Sequence, residues 1–190
     1  MLTNEQRAAL RAAIDAETDP VVVTARSPAT RDDRVIVAFY NDASNPPFYV
    51  WRSSVDTETI FDAIDWAKLT CADIATTADS AQVAAAQTNW QLACQGKQIN
   101  LQIVLQGRQT INATRLKVRQ AFSDSLQNVP SGVGGALQDA GWAGAKHAMY
   151  RPATRAERLF ATGTGTTGVP GLCVFEGAVT LDEVSAALNA

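Results

Sequence analysis

Apolar and small residues recur every three or four positions along much of the chain, which is the period of an amphipathic helix. Most of these stretches begin at a Ser, Thr, Asp or Asn whose side chain can accept a hydrogen bond from the first backbone amides. At Thr3, Thr154 and Thr180 the spacing to the next Gln or Glu is that of a capping box. The pattern predicts helices over residues 4–17, 58–69, 81–94, 113–127 and 155–161, and a last one within residues 178–190.

One further helix is predicted between Gly132 and Tyr150, but glycines interrupt it. An interior glycine costs a helix about 0.5–1 kcal/mol relative to alanine. Gly141 and Gly144 leave a smooth side there, along which a neighbouring backbone can approach closely. This helix therefore needs a packing partner. Gly96 is expected to end the helix over residues 81–94.

Only short segments favour extended structure. Leu172–Phe175 is predicted to be extended, and the β-branched run Val21–Val23 or the aromatic segment Phe48–Trp51 is a further candidate for a short strand. Val35–Tyr40 is too short for periodicity to separate strand from helix. Phe48, Tyr49 and Trp51 follow a rigid Pro-Pro break, and these aromatic side chains are either buried, which is the default expectation, or form a contact surface.

The predicted fold is therefore mainly α: a helical bundle-like single domain with a short β-hairpin or extended arm near the C-terminus. Residues 1–161 form the helical domain in this interpretation. Residues 162–177 form a Gly/Thr-rich arm or hairpin, and residues 178–190 contain the C-terminal helix.

Composition is that of an ordinary globular protein. The 190 residues are 46% hydrophobic and 18% charged, with a formal net charge of −3. This charge argues against a free DNA-binding factor. No apolar run approaches the roughly 18–20 residues of a membrane span, and the charged N-terminal segment does not resemble a signal peptide. We therefore expect synthesis in the cytoplasm and no membrane partner.

No catalytic, cofactor or metal motif can be assembled. Cys71, Cys94 and Cys173 lie far apart, and they are expected to behave as small reduced hydrophobes. His147 is the sole histidine, and no nucleophile accompanies it. Three aspartates look like a cluster, but their spacing scatters them around a helix, which favours a solvated face over a metal site: Asp62, Asp65 and Asp73.

The segment Gly163–Gly168 matches the GxGxxG string of dinucleotide-binding proteins. That chemistry needs a strand before the string and a helix after it, so that the helix N-terminus meets a pyrophosphate. Here a helical run precedes it, and Val169–Gly171 contains a proline that prevents immediate continuation as a helix. The segment is interpreted as a helix stop followed by a flexible arm or loop.

Charge is unevenly distributed along the chain. Residues 1–95 carry seven basic and thirteen acidic side chains, whereas residues 96–190 carry nine basic and six acidic ones. Three interpretations stay open: solvated helix faces, acidic and basic halves that meet between copies in a head-to-tail ring, and contact with DNA phosphates. The basic patch for the last interpretation is Arg151, Arg155 and Arg158.

Two parts of the sequence resemble one protein family. Phe48–Val55 reads FYVWRSSV, and Arg151–Gly165 reads RPATRAERLFATGTG and leads on to the FEG of Phe175–Gly177. Together with the LTNEQ near the N-terminus, these segments resemble small virion structural proteins of tailed bacteriophages and prophages. The region corresponding to Arg34–Tyr40 usually looks helical in that family, so the resemblance favours a helix there.

The resemblance implies a component of the phage particle, located in the virion after assembly in the host cytoplasm, and it brings no enzymatic residues. The favoured role is a head-tail connector, an adaptor or neck ring of about twelve copies that docks on the portal, joins capsid to tail and lies near packaged DNA. Its arm would contact neighbouring rings through five residues: Gly163, Gly165, Leu172, Val174 and Phe175.

Three alternatives stay open. A tail terminator or completion protein would lie further along the same tube and contain more strand. A capsid decoration protein would be present in hundreds of copies. A small host-directed phage enzyme or inhibitor would be monomeric and absent from purified particles, and it would need a pocket that this sequence does not assemble.

Overall fold

The computed structural model describes residues 1–70, 81–133 and 135–189. Within them the chain is mainly α-helical, with short antiparallel two-stranded ladders, and one of these is a hairpin near the C-terminus. The predicted fold class is confirmed. The chain forms two compact units: unit 1 comprises Met1–Trp51 and Tyr150–Ala190, and unit 2 comprises Arg52–Met149.

The elements are named in chain order. The helices of the described residues are α1 Asn4–Ala16, α2 Pro20–Arg26, α3 Asp33–Asn41, α4 Thr57–Asp62, α5 Trp66–Leu69, α6 Ala81–Leu105, α7 Leu116–Leu126, α8 Trp142–Met149, α9 Arg155–Leu159 and α10 Leu181–Leu188. The strands are β1 Tyr49–Trp51, β2 Val55–Asp56, β3 Thr110–Ile111, β4 Val129–Pro130, β5 Leu137–Gln138, β6 Tyr150–Pro152, β7 Ala161–Thr162 and β8 Leu172–Cys173.

The core of unit 1 is built by five helices, and three of them follow a capping box that the sequence predicts. All three capping boxes form, at Thr3, Thr154 and Thr180. Helices α1, α3 and α10 direct their apolar faces into one cluster, to which α2 and α9 also contribute. Its fully buried members include Leu10, Ile14, Ile36, Val184 and Ala187.

The strand predicted at Val21–Val23 is wrong, because this segment lies inside helix α2. Asp19 accepts a hydrogen bond from the amide of Val21, and Pro20 occupies the first turn, where its missing amide costs nothing. Burial of Val22 and Ala25 at helical spacing completes the helix. A good start signal and tertiary burial therefore outweigh the β-propensity of three valines.

The ambiguous segment Val35–Tyr40 is helical and belongs to α3. Asp32 caps the helix by accepting from the amide of Arg34, and Ile36 and Tyr40 are buried four residues apart. Burial raises the pKa of the Tyr40 phenol to about 12, so this side chain is neutral at physiological pH.

In unit 2, helix α6 continues through Gly96 to Leu105, so the predicted stop at Gly96 is wrong. A Cβ placed at Gly96 would meet no heavy atom within 4 Å, so this position tolerates a side chain. Trp90, Cys94 and Leu101 on the opposite side of the helix are buried, and helix α7 packs against α6. The packing of that buried side holds the helix together across the glycine.

Other predicted helices of unit 2 are shorter than expected. Residues 58–69 form two helices, α4 and α5, because Asp65 starts a new turn by accepting from the amide of Lys68. Helix α7 begins only at Leu116, since Asn112 accepts from the amide of Thr114 and forms a local turn instead of a cap.

The glycine-rich segment is helical only from Trp142 to Met149. Asp139 accepts from the amides of Gly141 and Trp142 at 2.8 and 2.5 Å, so the turn before α8 is fixed by this carboxylate. Gly141 has φ +110°, and a Cβ there would overlap the carbonyl oxygen of Ala63. The glycine therefore permits a close backbone approach, as the sequence suggested.

Substitution of the two glycines should have opposite effects. We expect Gly96→Ala to raise the free energy of unfolding by about 0.5–1 kcal/mol, because alanine favours the helix and fits the open surface. We expect Gly141→Ala to lower it by about 1–3 kcal/mol through backbone strain and overlap with Ala63. Urea unfolding of both variants measures the two changes, and a destabilised Gly96→Ala would contradict this account of α6.

Candidate interaction site at the paired strands of unit 1

Strand β1 is hydrogen-bonded along both edges. On one edge it pairs antiparallel with β6, with Val50 opposite Arg151 and Trp51 opposite Tyr150. On the other edge, the amide of Tyr49 donates to the carbonyl of Gly165 at 2.8 Å. The amide of Trp51 donates to the carbonyl of Gly171 at 3.0 Å, so β1 is an interior strand of a small irregular sheet.

The three aromatic residues predicted as core or contact residues are inside this arrangement. Trp51 is buried, and Phe48 and Tyr49 are half-buried. The rings of Tyr49 and Trp51 both contact Tyr150 edge-to-face, with centroids 5.7 and 6.2 Å apart. Trp51 therefore packs in the core of unit 1, whereas Phe48 and Tyr49 keep part of their surface exposed, and for these two the contact-surface alternative stays open.

The Gly/Thr-rich segment forms a hairpin, which was one of the two alternatives for this segment. Strands β7 and β8 pair antiparallel, with Thr162 opposite Leu172. The GxGxxG string lies in the loop between these strands. Gly165 has φ +64°, and a Cβ there would overlap the ring of Phe48. The missing side chain lets the loop pack directly on Phe48.

Three groups donate four hydrogen bonds to the buried carboxylate of Glu157. The guanidinium of Arg151 donates to both carboxylate oxygens at 2.6 and 2.7 Å. The amides of Thr154 and Gly177 donate at 3.1 and 2.9 Å. Arg151 also reaches the carboxylate of Glu176 at 3.3 Å. This set, called the Glu157 network below, joins strand β6, helix α9 and the chain after the hairpin.

Glu157 ionises more easily than an ordinary glutamate despite its burial. Burial by itself opposes ionisation, but the hydrogen bonds from Arg151, Gly177 and Thr154 together outweigh it and lower the pKa of the carboxyl. A carboxylate whose pKa is lower in the folded state than in the unfolded state stabilises the fold at neutral pH. That contribution is lost as the pH falls below the ordinary glutamate pKa and through the folded one.

The basic patch is engaged within the chain. Arg151 belongs to the Glu157 network, and Arg155 donates to the carbonyl of Phe39 at 2.8 Å while its guanidinium lies 3.9 Å from the centroid of that ring. Arg158 donates to the hydroxyl of Ser44 and the carbonyl of Pro46, each at 3.2 Å. All three arginines thus have structural partners, and their contact with DNA stays a prediction.

Arg155 and Arg158 also line a cleft of about 540 Å³ in unit 1. Its wall carries the acidic residues Glu17 and Asp19 as well as Tyr40. Two cations and two carboxylates in one cleft give a mixed electrostatic character. A simple anion site would place cations there without the neighbouring carboxylates.

The residues predicted for the arm separate into two groups. Gly165 is buried, and Phe175 contacts the ring of Phe160 edge-to-face, with centroids 5.5 Å apart. Leu172 and Val174 are exposed to 42% and 74%, and Gly163 is exposed as well. Val169, which the sequence did not single out, is 61% exposed. Val169, Leu172 and Val174 are called the hairpin apolar residues below.

Within the described residues, no group of three or more His, Cys, Asp or Glu side chains could hold a metal ion. Asp62 and Asp65 are described, whereas Cys71 and Asp73 lie outside the described residues. Cys94 is buried, as expected for a small hydrophobe, and Cys173 is half-buried. No helix in the described ranges combines the length and hydrophobicity needed to cross a bilayer.

No known family model matches the sequence, and no curated protein or solved structure is significantly similar to it. The resemblance to phage virion proteins therefore rests on the sequence segments themselves. The two longer segments come together at β1, β6 and the hairpin.

Sequence reasoning identified Glu157 as part of a capping box but missed its other partners. The Thr-x-x-Glu spacing indicates a local bond to the Thr154 amide, which forms. The bonds to Arg151 and Gly177 join positions 6 and 20 residues away in the chain. No periodicity connects such positions, although the proximity of Arg151 to the capping box was a signal available in the sequence.

Loss of the charge on Glu157 should destabilise unit 1. We expect Glu157→Gln to lower the free energy of unfolding by about 1.5–3 kcal/mol at pH 7, the range for hydrogen bonds to charged groups. The variant should also lose less stability than the parent chain when the pH falls below about 4.3, the ordinary glutamate pKa. Chemical denaturation at a series of pH values measures both effects.

Glu176→Gln is the matched control, because Glu176 binds the same arginine from a more exposed position. We expect a loss of less than about 1 kcal/mol for it. Equal losses for the two variants would show that burial of the Glu157 network contributes nothing, and would contradict this account.

Replacement of Gly165, which packs on the Phe48 ring, should weaken the attachment of the hairpin loop. We expect Gly165→Ala to lower the free energy of unfolding by about 1–3 kcal/mol more than Gly163→Ala does. Both glycines have positive φ, but only a Cβ at position 165 overlaps the Phe48 ring. Thermal unfolding monitored by circular dichroism compares the two variants, and equal losses would mean that contact with Phe48 is unimportant.

Proposed function

We propose that the chain is a structural subunit of a tailed-bacteriophage virion, namely a head-tail connector that forms a ring on the portal and joins capsid to tail. It acts by fitting against copies of itself and neighbouring virion proteins, with no catalytic step. The main observation in support is that the sequence segments that resemble this family lie next to one another within unit 1.

These segments are distant in sequence and adjacent in space. Tyr49–Trp51, from the first resembling segment, pairs with Tyr150–Pro152, which contains the first two residues of the second segment. Gly165, at the end of the ATGTG string, accepts from the amide of Tyr49. Gly177, at the end of the FEG string, donates to Glu157 of the RAE string. The residues of these motifs thus contact one another in one local structure. Such contacts favour a true relationship to the family over a chance match of sequence letters.

The role of these residues is architectural. Arg151 and Glu157 bind each other at a site where Glu157 has a 2% exposed side chain. Phe48 and Gly165 bring the hairpin onto β1. Together they hold a hairpin whose apolar residues face outward, as expected of a protein that is completed by its neighbours.

The hairpin apolar residues are the proposed contact with the adjoining ring. Complete burial of an aliphatic side chain of this size contributes about 1.5–3 kcal/mol, so three of them can decide whether a subunit joins an assembly. The hairpin loop and strand β8 contain no charged residue, so an apolar partner surface can cover them without burying an unpaired charge. Acidic and basic surfaces on neighbouring copies would then fix the register.

Quantitative mass spectrometry of purified phage particles tests the proposal. We expect the chain at about twelve copies per particle, in a one-to-one ratio with the portal subunit. Hundreds of copies would indicate a decoration protein instead. Six copies located further along the tail would indicate a terminator, and absence from mature particles would refute a virion role and favour a host-directed protein.

The hairpin is tested by point variants, because deletion of residues 162–177 would also remove Phe175 and Gly177 from the packed part of unit 1. We expect Leu172→Asp with Val174→Asp to fold normally and to fall at least tenfold in particle incorporation. Thr167→Asp is the control, since Thr167 is an exposed polar residue of the same loop. Normal incorporation of the double variant would contradict the assigned contact.

A further inference from the structure

Helix α6 of unit 2 has apolar residues on two opposite sides. Trp90, Cys94 and Leu101 are buried on the side that faces its own unit. On the other side Leu92, Ile99 and Ile103 are 58%, 54% and 62% exposed. A surface helix normally places charged and polar residues on its solvent side, so a second apolar side indicates a second packing partner.

The exposed side follows the spacing of a helix–helix seam. Its positions are separated by four, three, four, three and four residues, which is the alternation of a and d positions in a heptad repeat. The six residues at these positions are exposed within unit 2. They are called the α6 seam below: Ala85, Asn89, Leu92, Gly96, Ile99 and Ile103. A heptad seam selects another helix as its partner, because only a helix supplies side chains at matching intervals.

The near absence of charge on α6 limits the kinds of helix that can bind to it. Lys97 is the only charged residue among the 25 of α6. Its ammonium group donates to the carbonyls of Asp124 and Gln127, at 2.5 and 2.7 Å, within unit 2. The seam therefore offers no cation to nucleic acid or to anionic lipid, and a charged partner helix would lose hydration without gaining an ion pair.

Asn89 is the one polar side chain of the seam, and it disfavours a wholly apolar partner helix. In the heptad register it occupies an a position, where a single asparagine fixes the register and number of helices in a coiled coil. A carboxamide both donates and accepts hydrogen bonds, so two asparagines that face each other are satisfied. A wholly apolar partner would leave the amide buried and unpaired, at a cost of about 1–3 kcal/mol. The partner helix therefore needs a hydrogen-bonding side chain at the matching position, and the Asn89 of a second copy supplies one.

We infer that the α6 seam binds the α6 seam of a second copy of this chain, with the two helices parallel and in register. The same surface meets every condition: it is helical, uncharged and apolar at the same heptad spacing, and it supplies the facing asparagine. Gly96, in the middle of the seam, allows the two helix backbones to approach closely. Pairing of identical surfaces closes as a dimer and cannot repeat around a ring, so this contact is assigned to the free chain in solution. This inference stands independently of the proposed virion function.

The length and width of the α6 seam limit the area that the contact can bury. The seam is about 27 Å long from Ala85 to Ile103, and it is about 15 Å wide if it covers half of the helix circumference. The two copies together would bury about 800 Å², which lies below the roughly 1,200 Å² of stable complexes. An interface of this size is typical of weak, transient association.

A groove beside the seam adds apolar surface at its C-terminal end. The rings of Phe61 and Trp66 contact each other with centroids 4.5 Å apart and line a groove of about 750 Å³ with Leu101 and Leu105. Both aromatic side chains are partly exposed, to 50% and 38%. Side chains that flank a partner seam can enter this groove, which raises the buried area above that of the helices alone.

Sedimentation velocity of the full chain from about 5 to 500 µM tests the inference. We expect a monomer at the lowest concentration and a reversible dimer that dominates at the highest. Ile99→Asp should shift the dissociation constant at least tenfold upward, because it places two carboxylates in the seam. Circular dichroism checks that the variant is folded, which we expect because Ile99 is more than half exposed.

Asn89→Val tests the register in the same measurement. An apolar side chain at this position removes the cost of burying the amide and the constraint that it places on the number of helices. We expect tighter association, together with species larger than a dimer. An unchanged dissociation constant and a strict dimer would place Asn89 outside the contact and overturn the parallel arrangement.

Leu116→Asp is the matched control, since Leu116 is an apolar residue of α7 with a similar exposure of 58%. We expect it to dimerise like the parent chain. A parent chain that stays monomeric at 500 µM would overturn the inference. So would a folded Ile99→Asp variant that dimerises as strongly as the parent, because the contact would then lie elsewhere.

Discussion

The buried carboxylate of Glu157 is the constraint on which unit 1 depends. One side chain accepts from Arg151 on strand β6, from Thr154 at the start of helix α9 and from Gly177 beyond the hairpin. A carboxylate at this depth is tolerated only when its oxygens are fully paired. The strand, the helix and the end of the hairpin must therefore be in position together, and this coupling fixes where the hairpin apolar residues are presented.

The hairpin itself shows how a glycine-rich segment becomes ordered within a single chain. Gly165 and Gly171 leave no side chain against Phe48, so the loop backbone reaches strand β1 and completes its hydrogen bonding. The order comes from close approach and backbone pairing, while the apolar side chains of the same segment stay outside. A surface of this kind is preorganised, which reduces the entropy lost when a partner binds.

Local signals predicted much of the fold, and contacts between distant residues account for what they missed. The capping boxes at Thr3, Thr154 and Thr180 were readable because each is complete within four residues. Helix α6 was predicted to end at Gly96 because local propensity does not register the burial of Trp90 and Leu101 on either side of it. The site residues Leu172 and Val174 were predicted by resemblance, but the contacts that hold unit 1 around them join residues six to 116 positions apart in sequence.

The hairpin is a docked surface in the free chain and not an arm that orders only on assembly. Hydrogen–deuterium exchange of the isolated protein measures this difference directly at the amides of Tyr49, Gly171 and Gly177. We predict slow exchange at all three, with protection comparable to the core helices of unit 1. Exchange as rapid as in an unfolded chain at Gly171 and Gly177 would contradict it.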